Sequence, residues 1–215
     1  MNTMDMVAPD LSKLLNESAG LHEALGELWS QIEPPESQRG IAVAAYCLIV
    51  REHALSQLHL LALGHSVTAM TLVRPSYEAL VRAIWCLDGA SDAWVSQFLS
   101  PQDEKRDPRD ETIKGPPVES MLEEIEKRHP DFIHSALVGL KDASWKPMHS
   151  YVHGGVRPVL QSLLGCPEAH CCAVALNANG FAIWCTNVAI IAAGGPHGHL
   201  REIQRRFASC LPPTS

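Results

Sequence analysis

The chain has 215 residues, of which 46% are apolar and 19% charged, a composition that excludes a disordered chain and fits one folded globular domain. Its formal net charge of −7 excludes a dedicated DNA-coating surface but not a small catalytic pocket that acts on RNA. Seven cysteines without a Cys-x-x-Cys pair indicate free thiols in a reducing cytoplasm. We see no secretory signal at the N-terminus, so we expect a cytoplasmic protein.

Helical periodicity dominates the first half of the chain, and alternating strand patterns are nearly absent. We predict helices at about 9–32, 37–63, 66–87 and 92–99. Pro75 falls inside the third of these helices and is expected to kink or restart it, because proline removes a backbone donor. The charged and proline-rich residues of about 101–117 predict an exposed loop.

The second half predicts further helices at about 118–128, 130–140, 145–164, 167–193 and 199–210, followed by a short tail at 211–215. Residues 171–195 carry no charge, but they are rich in Ala and contain Asn and Gly. We therefore interpret this stretch as a long buried helix rather than a membrane span, and we expect no membrane partner. The prediction is an all-α, single-domain bundle of about seven to nine helices over residues 1–215.

A thirteen-residue segment beginning at Trp145 contains an unusual concentration of chemistry-bearing side chains. Trp145, His149, His153 and Arg157 follow one another by four residues, so on a continuous helix they would form one stripe, with Tyr151 beside it. The glycines at 154 and 155 permit a close approach by a ligand or a neighbouring helix, and they are also able to bend or break the helix.

A second segment carries Arg74, Glu78 and Arg82 at the same spacing within a strongly apolar helix. Charges in such a helix are costly unless they are paired, as in a Glu78–Arg82 pair, or line a cavity. We expect the two segments to lie side by side and to form one partly buried polar pocket. The predicted catalytic residues are His149, His153, Arg82 and Glu78, and the predicted substrate-binding residues are Trp145, Tyr151, Arg157 and Arg74.

Four kinds of chemistry remain open for this pocket. A histidine next to Arg and Tyr suits general acid–base work on a phosphate ester. The same residues could instead bind an anionic small molecule without catalysis, or form a structural network between core helices. The His pair could also hold a divalent metal with Glu78 or a cysteine as a further ligand. We predict no metal and no cofactor, and adjacent Cys171 and Cys172 chelate one ion poorly because their side chains diverge on a helix.

The Arg-Pro-x-x-Glu-x-x-x-Arg segment at Arg74 and the His-x-Tyr-x-His-Gly-Gly segment at His149 resemble an uncharacterised bacterial all-helical family. That family is in turn reminiscent of the HEPN superfamily of helical bundles, many of which are RNases in defence or toxin–antitoxin systems. The HEPN pattern of Arg, a short spacer and His is matched formally by Arg128 and His134. Pro130 lies inside that match, so we assign the chemistry to the His149 segment instead.

The resemblance implies a HEPN-like module of a defence or toxin-type system, with RNA as a possible substrate and His153 as the acid–base group. The alternatives are a bundle that binds a small molecule or a partner without catalysis, and a metal-dependent hydrolase that uses the His pair. Whether the chain is an enzyme stays open on sequence alone. We expect a homo-oligomer, since the helices offer apolar surface.

Overall fold

The computed structural model describes residues 10–100 and 115–213, and these residues form α-helices and no strand. In chain order the helices are α1 (Leu11–Trp29), α2 (Gln38–Ala62), α3 (Ser66–Thr71), α4 (Val73–Asp88), α5 (Asp92–Leu99), α6 (Val118–Arg128), α7 (Asp131–Val152), α8 (Val156–Leu164), α9 (Glu168–Ala193) and α10 (Gly198–Arg206). The prediction of a single all-α bundle is confirmed. Most of the predicted 101–117 loop, residues 101–114, lies outside the described residues.

The centre of the bundle is formed by α2, α4 and α9, which pack against one another, while α1 covers α9 from the other side. Small and aliphatic side chains on more than half of the circumference of α9 are buried, as predicted for the long apolar segment. Both α2 and α9 are long and apolar enough to cross a membrane. In α9, however, 67% of the apolar window is buried within the bundle, which is the pattern of a core helix.

The predicted kink at Pro75 corresponds to a break at Leu72, which separates α3 from α4. Pro75 stands in the first turn of α4, where its missing N–H leaves no intrahelical bond unmade. If α3 and α4 are taken as one broken helix, the described residues contain nine helices, within the predicted range.

The predicted division between 130–140 and 145–164 is wrong. One helix, α7, runs from Asp131 through Pro147 to Val152, and a separate helix, α8, begins at Val156. Gly154 lies between them with a φ of 64°, a left-handed conformation that glycine adopts without a steric penalty. The helix therefore ends before Arg157, and the remaining residues of the segment are divided between two elements.

Candidate functional site

The site is built where α4 and α7 pack side by side. Tyr77 of α4 is fully buried between them, and its hydroxyl donates to the Leu137 carbonyl of α7 at 3.0 Å. Its ring also meets the Trp145 ring edge-on, with the two centroids 6.3 Å apart. Burial raises the pKa of Tyr77, so the phenol stays protonated and keeps donating this bond. These contacts fix the register between the two helices.

Arg74 is the centre of the polar contacts on this seam. Its Nε donates to Glu78 Oε1 at 2.8 Å, one helical turn away. Its guanidinium carbon lies 4.4 Å from the centroid of the Trp145 ring, a cation–π distance. Its Nη1 lies 3.1 Å from Nδ1 of His149. We call Arg74, Glu78, Trp145, His149 and His153 the Arg74 cluster.

The contact between Arg74 and His149 determines the tautomer of that histidine. A guanidinium has donors and no acceptor, so Nδ1 of His149 must accept the hydrogen bond and carries no proton. In the neutral ring the proton is then on Nε2. The His149 side chain is exposed. His149 therefore presents an N–H donor to solvent or to a ligand, with its orientation held by Arg74.

His153 completes the cluster at the end of α7, where it is the C-cap residue. Its ring centroid lies 4.3 Å from that of His149, and the two planes are inclined by 49°. His153 is exposed, as is Gly154, which turns the chain away from the helix. Two imidazoles thus stand next to each other on an open surface beside one arginine.

A family model described as a family of unknown function, DUF6988, matches residues 47–213, more than three quarters of the chain. The chain belongs to the DUF6988 family. The matched region of this DUF6988 protein begins within α2 and includes the whole Arg74 cluster. No curated protein and no solved structure matches the chain.

The DUF6988 structure does not bring Arg82 to the cluster. Arg82 hydrogen-bonds to the phenol of Tyr46 on α2, and one of its nitrogens approaches Gly115. Glu78, which the sequence could have paired with Arg82, forms its ion pair with Arg74 instead. Arg82 lies two helical turns along α4 from Arg74, and that separation directs it towards a different set of neighbours.

Arg157 and Tyr151 belong to the junction between α7 and α8. The predicted continuous stripe from Trp145 to Arg157 is wrong, because Arg157 stands on α8, where its backbone N–H donates to Ser150 Oγ at 3.2 Å. Tyr151 donates its hydroxyl to the side chain of Gln161, and burial raises its pKa. Both residues fix the position of α8 beside the His pair, and the side chain of Arg157 remains exposed.

The formal HEPN pair is split between two helices. Arg128 ends α6 and forms an ion pair with Glu124 at 3.4 Å, whereas His134 stands in the first turns of α7, 3.8 Å from Glu126. Pro130 is the N-cap residue of α7, so the proline ends one helix and begins the next. In the described structure these two side chains engage acidic neighbours on α6 and take no part in the Arg74 cluster.

Sequence reasoning missed Lys141, whose side chain contacts the Trp145 ring. Its ammonium is 5.4 Å from the centroid of the Trp145 ring and 2.9 Å from Glu119 of α6. Hydrogen bonding from Lys141 lowers the pKa of Glu119. The signal was available, since Lys141 precedes Trp145 by four residues and shares its helix face.

The chain segments that carry the cluster have a net positive charge, although Glu119 of α6 and Asp142 of α7 also lie close enough to act electrostatically on Tyr77. Glu78 is the sole acidic residue in segments 53–87 and 143–167, which also contain Arg74, Lys146 and Arg157. Their helices, α3, α4, α7 and α8, contact one another at this end of the bundle. Within residues 10–100 and 115–213, no group of three or more His, Cys, Asp or Glu side chains could hold a metal ion.

Proposed function

We propose that this protein is a HEPN-like helical module of a bacterial defence or toxin-type system, and that its Arg74 cluster cleaves RNA in the cytoplasm. The observation that carries the proposal is the bond from Arg74 to Nδ1 of His149. It leaves an oriented N–H donor beside the second, exposed imidazole of His153. An oriented donor beside a base is the minimal arrangement for general acid–base chemistry on a phosphodiester.

In the proposed reaction, Nε2–H of His149 donates to a non-bridging phosphoryl oxygen and stabilises the charge that develops there. His153 takes the proton from the ribose 2′-hydroxyl, whose oxygen attacks the adjacent phosphorus. The bond from phosphorus to the 5′-oxygen breaks, and His153 returns the proton to that oxygen. The products are a 2′,3′-cyclic phosphate and a 5′-hydroxyl, so no water or redox partner is consumed.

The surroundings support an extended anionic substrate. His149 and His153 stand on an open face, which suits a chain of phosphates better than a small molecule that needs enclosure. Arg157 is exposed on the first turn of α8, close in sequence to His153, and we assign it to hold a neighbouring phosphate. Residues 143–167 carry Lys146 and Arg157 and no acidic residue, which lowers the local repulsion of an anion by a chain of net charge −7.

The test is cleavage of a fluorescent single-stranded RNA by purified protein in the presence of EDTA, with DNA of the same sequence as a substrate that lacks the 2′-hydroxyl. We expect RNA and not DNA to be cleaved, with a 2′,3′-cyclic phosphate at the new end. His153→Ala should lower the rate by about a hundredfold or more. The matched control is His170→Ala, which removes an exposed histidine from the first turn of α9.

Three results would contradict the proposed chemistry. RNA that is bound but not cleaved would favour a non-catalytic binding bundle. Cleavage that EDTA abolishes would favour a metal-dependent hydrolase. Equal loss of rate in His153→Ala and His170→Ala, with both variants folded by circular dichroism, would place the activity outside the Arg74 cluster.

A further inference from the structure

The outer face of α8 is covered with aliphatic side chains that nothing in the described structure contacts closely enough to bury. Val156 is 70% exposed, Leu163 75% and Leu164 81%. Val159 and Leu160 lie on the same face and are about half exposed. The five residues are the first, fourth, fifth, eighth and ninth of α8, and this helical spacing places all five side chains on one side of the helix. We call these five residues the α8 face.

The α8 face cannot turn inward, because the opposite side of the helix is anchored. Pro158 and Gln161 are buried against the bundle. The Gln161 side chain accepts from Tyr151 of α7 and donates to Ser66 Oγ of α3 at 2.7 Å. Rotating α8 would break both bonds and bury an unsatisfied amide. The anchored side of α8 therefore holds the aliphatic face away from the bundle.

The chemistry of the α8 face selects among possible occupants. Arg157 is the one charged residue between Lys146 and Glu168, so the face itself is uncharged. Helices that lie on membranes have polar faces rich in Lys and Arg and apolar faces with Trp or Phe, and α8 has neither. A charged protein partner would find no complementary charges on this face. The same aliphatic face of a second copy of the chain would bring no charge into the contact.

The size of the α8 face also fits a second copy of the chain. The five side chains expose on the order of 400 Å² of apolar surface. A standard interface buries about 800 Å² on each partner, and a little over half of that area is non-polar. The α8 face thus supplies nearly the whole apolar part of such an interface, and an isologous contact uses the same residues twice.

We infer that the protein forms a homodimer in which the α8 face of one copy packs against the α8 face of the other. His153 precedes the N-cap of α8 by two residues, so each His pair lies at the edge of this interface. The inference rests on the exposed aliphatic face and stands whether or not the Arg74 cluster cleaves RNA.

The test is the mass of the purified full chain in solution, measured by light scattering after size-exclusion chromatography and by sedimentation equilibrium. We expect wild type at micromolar concentration to have twice the mass of one chain. Leu160→Glu and Leu163→Glu should each raise the dimer dissociation constant by at least about tenfold, because each places two carboxylates in the buried contact. Leu48→Glu on α2 is the matched control, since Leu48 is 51% exposed and Leu160 48%.

The variants separate the possible outcomes, because all three substitutions are at exposed positions and their folding is checked by circular dichroism. A dimer that survives both α8 substitutions, or that Leu48→Glu disrupts equally, would overturn the inference. So would a monomeric wild type. A monomer that sediments with anionic vesicles and loses that binding in Leu163→Glu would show a membrane as the occupant.

Discussion

Acidification should destabilise the protein through His22, a buried histidine of α1 far along the chain from the Arg74 cluster. Its Nε2 lies 3.2 Å from Oδ1 of Asn179 on α9, inside the seam between the two helices. Burial lowers the pKa of His22 from 6.5 to about 4, against the smaller opposing effect of the Asn179 bond. The folded protein therefore keeps this ring neutral under conditions in which the unfolded chain protonates it.

The size of the effect follows from the two pKa values. Between pH 6.5 and about pH 4, His22 is protonated in the unfolded chain but neutral in the folded protein. The free energy of unfolding therefore falls as the pH is lowered through this window. The shift of about 2.5 pKa units at about 1.4 kcal/mol each gives a loss of about 3 kcal/mol. Above the unfolded value, His22 contributes no pH dependence.

Urea unfolding of wild type and His22→Gln across this pH range measures the effect directly. Glutamine keeps an N–H donor near Asn179 but does not titrate, so the variant should lose about 3 kcal/mol less than wild type between the two ends of the window. His170→Gln, at an exposed histidine, should follow wild type. Parallel profiles for wild type and His22→Gln would refute the reasoning.

Two further substitutions and one chemical modification test the described contacts. Tyr77→Phe should lower the free energy of unfolding by about 1 kcal/mol in urea, because the buried hydrogen bond from the phenol to the Leu137 carbonyl is lost. Asn179→Ala should cost about 3 kcal/mol, since the buried amide bonds Ser18, His22 and Cys210, whereas Asn177→Ala serves as the control on the same helix. An aromatic disulfide reagent should react first at Cys166, the one cysteine that is not buried, and release one aromatic thiolate. The thiolate of Cys171, 3.4 Å away, should then attack the Cys166 sulfur, form a Cys166–Cys171 disulfide and release the second aromatic thiolate.

Each of these predictions has an outcome that contradicts it. Unchanged stability in Tyr77→Phe would mean that water satisfies the carbonyl and that the helices are less closely packed. Equal losses of stability in Asn179→Ala and Asn177→Ala would contradict a stabilising role for the hydrogen bonds of Asn179. Burial raises the pKa of Cys171 to about 12, so the displacement should be slow and should accelerate about tenfold per pH unit. We expect two released equivalents in wild type and one in Cys171→Ser, and one equivalent in both would contradict the pairing.

The helical architecture could be predicted because its signals are local. Apolar periodicity, prolines and glycines mark where helices run and stop, and α9 was recognised as a core helix from its uncharged, Ala-rich composition. The division of 130–164 failed because two local signals competed there. Pro147 is tolerated inside α7, whereas Gly154, which leaves the helical region, ends it.

The site was predictable in part for the same reason. Residues four apart on one helix meet regardless of the rest of the fold, so Arg74 with Glu78 and His149 with His153 needed no tertiary information. Which arginine of α4 faces α7 depends on how the two helices are rotated. The buried Tyr77–Leu137 bond sets that rotation, and no spacing in the sequence specifies it. The assignment of Arg82 to the pocket failed at this step.

The most direct test of the account is inducible expression of wild type and His153→Ala in a bacterial host, with growth and total RNA integrity as the measured quantities. We predict growth arrest with broken RNA in wild type, and normal growth with intact RNA in His153→Ala at equal protein levels. Growth arrest and RNA breakdown of equal extent in both strains would contradict a role for the exposed His pair. Intact RNA and normal growth in both would contradict RNA cleavage itself.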